Sequence, residues 1–265
     1  MKLYSFLTIV GIFIRLNAYQ FNYKKEGSDW KGTCANGEKQ SPINIKEEEA
    51  FNLQTPPLKF HNIKKYLKGS RLINNGKTVR IHNQLEFFHI SNGGLPGKYS
   101  IKYIDFHWGK GKGRGSEHRL SGISSDMEMQ IVATKIGGKV KDLNYYAIFA
   151  FLFEAFPGTA NDLPGALLDA FKNVKQVGKS RLISPITFKW LIGKQLGEFY
   201  RYKGSLTSPP CSENAIWTIF RKKRRISLFI KKVLNSIQLK KHEVANFRKI
   251  QPLNGRKVYK RVKKR

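Results

Sequence analysis

Two cysteines in 265 residues are too few for a disulfide-dense miniprotein or a cysteine-rich zinc module. Acidic residues are scarce: 18 Asp and Glu stand against 49 Lys and Arg, a formal charge of +31. Beyond the N-terminus no apolar run reaches the roughly 18 residues that a membrane-crossing helix needs, which excludes a multi-pass membrane protein. No Asn-X-Ser/Thr triplet occurs, so no N-linked glycan is expected. Internal repeats and a domain linker are missing as well. What is present is 40% hydrophobic and 12% aromatic residues, enough to bury a sizeable core in one domain.

The N-terminus reads as an address. An apolar stretch from Leu3 to Ile14 lies between Lys2 and Arg15, and Leu16-Asn17-Ala18 offers a small residue for cleavage. Residues 1–18 are therefore expected to be a secretory signal peptide, with a buried N-terminal helix as the alternative. Without Lys2 and Arg15 the mature chain carries about +29. No transmembrane segment is expected in it, and its predicted location is extracellular. An oxidising destination favours a Cys34–Cys211 disulfide closing a loop of about 178 residues.

From Gln20 to Gln40 the chain is polar and rich in Gly and Lys, an irregular arm anchored by Trp30. Strand-length apolar runs then alternate with turn signals. Arg71–Ile73 precedes Asn74-Asn75-Gly76, and Thr78–Ile81 follows it. Glu86–Ile90 precedes Asn92-Gly93-Gly94, and Tyr99–Trp108 comes next. Met127–Thr134 precedes Gly137-Gly138, and Tyr145–Phe153 follows. This pattern predicts a mainly β domain. Leu167, Leu168 and Phe171, after Asp162, predict a helix around Pro164–Lys175, with a second near Leu228–Leu239.

Residues 221–265 change character, with 18 Lys and Arg and one acid, Glu243. The densest runs are Arg221, Lys222, Lys223, Arg224 and Arg225, and Lys260, Arg261, Lys263, Lys264 and Arg265. One reading is a solvated face that aids solubility. The functional reading is a docking surface for a polyanion: a glycan, an acidic extracellular matrix or another anionic surface, with no specific nucleic acid.

Period-two alternation puts Asp105 and His107 of Asp105-Phe106-His107-Trp108-Gly109 on one strand face. Gly115-Ser116-Glu117-His118 follows, then Met127-Glu128-Met129-Gln130-Ile131-Val132. Much later comes Tyr200-Arg201-Tyr202-Lys203-Gly204-Ser205-Leu206-Thr207-Ser208-Pro209-Pro210-Cys211, ending at Trp217. With Gln40-Ser41-Pro42-Ile43-Asn44-Ile45 and Asn74-Asn75-Gly76, these segments resemble the α-class carbonic anhydrases, especially secreted ones with a Cys pair, from about Trp30 to Val258. The resemblance implies one domain over residues 19–265, a mainly β (α+β) fold with a large twisted, mostly antiparallel sheet and short peripheral helices. It implies a conical site in which three histidines hold Zn²⁺ and an activated water that attacks CO₂.

Against that pattern, the first histidine position is Asp105, the second is His107, and the third, after Glu128, is Gln130. The proton-shuttle position is Lys77. Asp105, His107 and Gln130 make a degenerate set, so no cofactor is expected, or Zn²⁺ held weakly. An Asp105–Lys77 contact is expected in place of the metal, or an Asp105 satisfied by water and Gln130; Arg80 is expected at the cavity mouth. By resemblance Thr207 donates to the buried Glu117, Gln40 and Glu128 lie in the surrounding polar shell, and Glu128 bonds the Gln130 amide. Val132, Ile148, Leu206, Ala215 and Trp217 match the apolar wall, or serve as ordinary core. The expected function is a secreted, acatalytic scaffold that binds polyanions. The alternative is a slow zinc-dependent carbonic anhydrase with a degenerate site, in a biomineral matrix.

Overall fold

A computed structural model describes residues 21–82, 85–159, 161–183 and 185–262. The expected signal peptide, Lys263, Lys264 and Arg265 lie outside the described residues.

One 13-stranded sheet organises the molecule. Its central strands are Val79–His82, Tyr99–Trp108, Met127–Lys135, Tyr146–Phe156, Ala215–Phe220 and Phe199–Gly204, in that spatial order. Neighbours pair antiparallel except Tyr146–Phe156, which runs parallel to Ala215–Phe220 and to Arg224–Ser227, and Tyr259–Arg261, which runs parallel to Phe51–Asn52. Among the described residues four short helices lie around it, and a three-stranded sheet of Asn44–Ile45, Arg119–Leu120 and Ile123–Ser124 stands apart.

Side chains of the central strands divide by parity. Ile104, Phe106, Trp108, Met127, Met129, Ile131, Phe149, Phe151 and Phe153 pack into the main core. Asp105, His107, Glu128, Gln130, Val132 and Ile148 alternate to the other face. Both faces of these strands are buried, which is why their sequence is nearly continuous in apolar residues.

Two helices close the main core. Gly165–Lys172 buries Leu167, Ala170 and Phe171, and Leu228–Asn235 buries Ile230, Val233 and Leu234. The second is capped by Ser227, whose hydroxyl accepts from the Ile230 N–H. Both fall inside the predicted ranges. The run predicted over Glu86–Ile90 forms a strand only from His89, because Phe88 closes a turn onto the Leu85 carbonyl.

Over residues 21–40 the N-terminal arm is irregular, as expected, apart from one helical turn at Thr33–Asn36. Phe21, Tyr23 and Trp30 meet edge to face with centroids 5.1–5.6 Å apart. A helical turn, Thr33–Asn36, carries Cys34 into a disulfide with Cys211. The arm is thereby fastened to the loop after Thr207.

Candidate active-site cavity

A cavity of about 250 Å³ opens on the sheet face that carries Asp105, His107 and Gln130. Register brings them together: Gln130 stands opposite Asp105, and Glu128 opposite His107.

Asp105 is held by Arg80. The two face each other across adjacent strands. Arg80 Nε and one terminal nitrogen each donate to a different oxygen of the Asp105 carboxylate at 2.7 Å, the bidentate geometry that makes an arginine–carboxylate pair strong. The guanidinium also stacks on Tyr103, 3.7 Å from the ring centroid. Burial works against the Arg80 charge, but the adjoining carboxylate outweighs it, so its pKa lies above the ordinary arginine value. This corrects the expected Asp105–Lys77 contact, and its alternative of water and Gln130 alone. Lys77 instead places its ammonium over Phe21, 4.3 Å from the centroid.

His107 points Nδ1 at the Asn246 carbonyl, 2.7 Å away. A carbonyl oxygen only accepts, so Nδ1 carries the hydrogen and the Nε2 side is left for other partners. Burial would lower its pKa, but the nearby Glu117 carboxylate, 3.6 Å from Nδ1, and the Asn246 carbonyl outweigh burial and raise it.

Gln130 turns its amide nitrogen away from the other two. Nε2 donates to Glu117 Oε2 at 2.8 Å and to Glu128 Oε1 at 2.9 Å, and so bridges two buried carboxylates. Glu128 also accepts from the His118 N–H and meets His118 Nδ1 at 2.9 Å; His118 Nε2 meets the Tyr202 hydroxyl at 2.7 Å. Burial alone would raise the Glu128 pKa, and His118 brings it below the ordinary value instead.

The remaining expected site residues separate. Val132, Ile148, Leu206 and Thr207 line the cavity. Ala215 and Trp217 do not: both are buried in the apolar cluster beneath, and the Trp217 indole donates to the Ser205 carbonyl. Among the described residues no hydrogen bond joins Thr207 to Glu117, because the Glu117 oxygens accept from Gln130 and from the Arg248 N–H. Gln40 bonds the Cys211 carbonyl, Glu213 and Arg248 rather than a cavity residue.

Three partners were not singled out from the sequence. Tyr23 lines the cavity, and its backbone N–H donates to Glu243 at 2.6 Å. Asn246 takes the Trp108 N–H on its side-chain oxygen and donates to the Phe106 carbonyl, clamping the strand that carries His107. Arg248, buried, donates to Gln40 and to the Ser41 and Cys34 carbonyls. No local pattern marks these residues, since each reaches its partner across more than 100 positions.

A profile of the eukaryotic-type carbonic anhydrases matches residues 25–262. The chain belongs to that family. It is 34% identical to carbonic anhydrase 4 of Oryctolagus cuniculus over 90% of this chain and 81% of that protein. It is 34% identical to carbonic anhydrase 6 of Mus musculus over 72% of this chain and 62% of that one. Human receptor-type tyrosine-protein phosphatase zeta is 34% identical over 76% of this chain, a stretch that makes up 9% of the phosphatase.

The residues of this cavity are a poor donor set for the zinc expected of a carbonic anhydrase. Both Asp105 oxygens are taken by a fixed positive charge, and Gln130, whose nitrogen is bound to carboxylates, has only a neutral amide oxygen to offer. One imidazole is left, and among the described residues no group of three His, Cys, Asp or Glu has metal-holding geometry.

The basic segment is also partly absorbed by the fold. Arg224 is turned inward: it donates to the Leu191 carbonyl at 2.6 Å and to the Asp162 carbonyl, and it packs over Phe153. Burial pushes its pKa down to about 10. Arg221 pairs with Glu47 and Glu198, Lys223 with Glu154, and Arg225 with Asp162. Lys260 and Arg261 donate to backbone carbonyls of Glu47, Thr55 and Gly197. Lys222 stays exposed at the rim of a groove of about 650 Å³ that Lys194, Arg225 and the exposed Trp190 also line.

Proposed function

We propose that this chain is a secreted, carbonic anhydrase-like scaffold without CO₂ hydratase activity, and that it docks a sulfated glycosaminoglycan chain in the groove beside Trp190. The bidentate seat of Arg80 on Asp105 carries the first half of this reading. Hydration of CO₂ by this fold needs a dication at that place, and the guanidinium supplies a charge there without any capacity to activate water.

Support for the second half is electrostatic. Lys194, Lys222 and Arg225 stand at the groove around an exposed indole, against one carboxylate, Asp162. Closely spaced cations suit sulfate groups, and a flat aromatic face suits a sugar ring. The Cys34–Cys211 disulfide is in keeping with an oxidising, extracellular location. A relative of this stretch that bears the name of a phosphatase supports use of the scaffold outside CO₂ chemistry.

The test is heparin chromatography together with a hydration assay. The mature protein is expected to elute from heparin at a salt concentration that falls in Lys194→Ala/Lys222→Ala and in Trp190→Ala, and zinc-soaked protein is expected to hydrate CO₂ at the buffer rate. Unchanged elution of both variants removes the groove from the proposal. Zinc-dependent hydration that disappears in His107→Ala overturns the loss of activity and restores the slow hydratase.

A further inference from the structure

The hairpin that joins Met127–Lys135 to Tyr146–Phe156 ends in a loop that the fold braces but does not cover. Strand pairing stops at Thr134 and Tyr146, and the Lys135 N–H donates to the Tyr145 carbonyl one step beyond. Three backbone turns follow. The Gly138 N–H donates to the Lys135 carbonyl, the Asp142 N–H to the Lys139 carbonyl, and the Tyr145 N–H to the Asp142 carbonyl, at 2.9–3.3 Å. The Asn214 amide donates to the Val140 carbonyl, and the Tyr99 hydroxyl donates to the Asn144 carbonyl at 2.7 Å.

Each turn carries an apolar residue at its first central position: Ile136, Val140 and Leu143. That position lies on the outside of the bend. The three side chains are 50%, 60% and 78% exposed, and Leu143 is the most exposed large apolar residue among those described. Apolar residues scattered singly over a surface are ordinary, but three on one short, braced loop mark a contact surface.

The loop is also basic. It contains Lys135, Lys139 and Lys141, and Lys98 adjoins it, its carbonyl accepting from the Ile136 N–H at 3.0 Å. Asp142 is the only acid between Glu128 and Glu154, and its carboxylate accepts from the Lys139 backbone N–H at 2.7 Å. This combination selects the occupant. A second copy of the chain would set the same lysines against themselves, on molecules that each carry about +29. An anionic phospholipid bilayer meets both features: its headgroups take the lysines, and its interface takes the apolar side chains.

We propose that this loop is a membrane-docking surface. Ile136, Val140 and Leu143 enter the interface of an anionic phospholipid bilayer, while Lys98, Lys135, Lys139 and Lys141 meet the headgroups. Because the turns already fix the backbone, docking orders little of the chain. The loop shares no residue with the groove beside Trp190 or with the cavity around His107, and it does not depend on glycan docking.

Sedimentation of the full mature protein with vesicles of equal parts phosphatidylserine and phosphatidylcholine, and with phosphatidylcholine alone, tests the assignment. Partition onto the anionic vesicles is expected to be at least about tenfold stronger. Val140→Ser/Leu143→Ser is expected to lower it about tenfold with the melting temperature unchanged, since both side chains stand in solvent. A second readout uses a Trp190→Phe background, which removes an exposed indole. There Leu143→Trp is expected to emit at shorter wavelength on the anionic vesicles and to be quenched by lipids brominated along the acyl chain. Equal partition onto both kinds of vesicle overturns the proposal. So does partition that Val140→Ser/Leu143→Ser retains, which would reduce the contact to general charge attraction, or an introduced indole whose emission the vesicles do not change. Self-association without vesicles that the same double variant abolishes would make the loop a contact between copies instead.

Discussion

At the scale of single residues, one substitution set rewrites the chemistry of this cavity. Asp105 places a carboxylate where the family resemblance implies an imidazole, and Arg80 on the neighbouring strand neutralises it. The pair is only partly shielded, with side-chain exposures of 32% and 12%, so its worth lies between that of a surface bridge and that of a buried one. Arg80→Ala is expected to cost about 2 kcal/mol by stranding the Asp105 charge. Adding Asp105→Asn should recover most of that loss, and urea unfolding of both variants and of Asp105→Asn alone measures the coupling. A coupling near zero would mean that water satisfies Asp105 without help. Gln130 was readable as a poor ligand from its chemistry. That its nitrogen would bridge Glu117 and Glu128 required the two carboxylates to be brought within 3 Å of one amide, which strand pairing and the Gly115–Ser116 segment accomplish together. Gly115 has no room for a Cβ beside the Asp126 carbonyl, so the close backbone approach that leads into Glu117 depends on glycine.

At the scale of elements, the peripheral helix Leu228–Asn235 is tied to the sheet through Asp126. One Asp126 oxygen accepts from the Gly113 N–H and from Lys231 of that helix, and the other accepts from the Ala155 N–H of the long central strand. Burial would raise the Asp126 pKa, and these hydrogen bonds, that from Lys231 first, hold it below the ordinary aspartate value instead. A depressed folded-state pKa contributes stability that is present above the unfolded value of about 3.9 and is lost as pH falls through the folded value. The unfolding free energy of wild type is therefore expected to exceed that of Asp126→Asn at pH 6 and to converge on it as the pH drops below about 4. A gap that does not change with pH would sink this account. The helix itself was expected near Leu228–Leu239, but its anchor was not legible, because Asp126 and Lys231 stand 105 positions apart. Strand positions were legible as strand-length apolar runs between turn signals. The start of His89–Asn92 was not, since Glu86 and Phe87 belong to a turn fixed by Leu85.

Over the whole molecule, the Cys34–Cys211 bridge spans 177 positions and holds the aromatic arm of Phe21, Tyr23 and Trp30 against the cavity. Closing so long a loop removes much freedom from the unfolded chain, about 5 kcal/mol at most in the chain-entropy view and less in practice. Cys34→Ser/Cys211→Ser is expected to lose about 3 kcal/mol of unfolding free energy, and the Trp30 fluorescence of the native state should become more quenchable as the arm loosens. Unaltered denaturation would show that Arg248, which donates to the Cys34 and Ser41 carbonyls, holds the arm alone.

The sequence by itself determined the family, the mainly β architecture, the two outer helices and the chemistry of the altered triad. The architecture and the helices follow from residue type and local period, which a linear chain displays; the family and the altered triad follow from the resemblance of its motifs to the α-class carbonic anhydrases. Tertiary structure alone decided that Arg80 and not Lys77 meets Asp105, that Arg224 leaves the basic surface for the interior, and that Arg201 is buried without an anion. These outcomes depend on which strands become neighbours and in what register. A shift of one residue would turn every one of these side chains to the opposite face, and that choice is made by the packing of the whole sheet rather than by any segment within it.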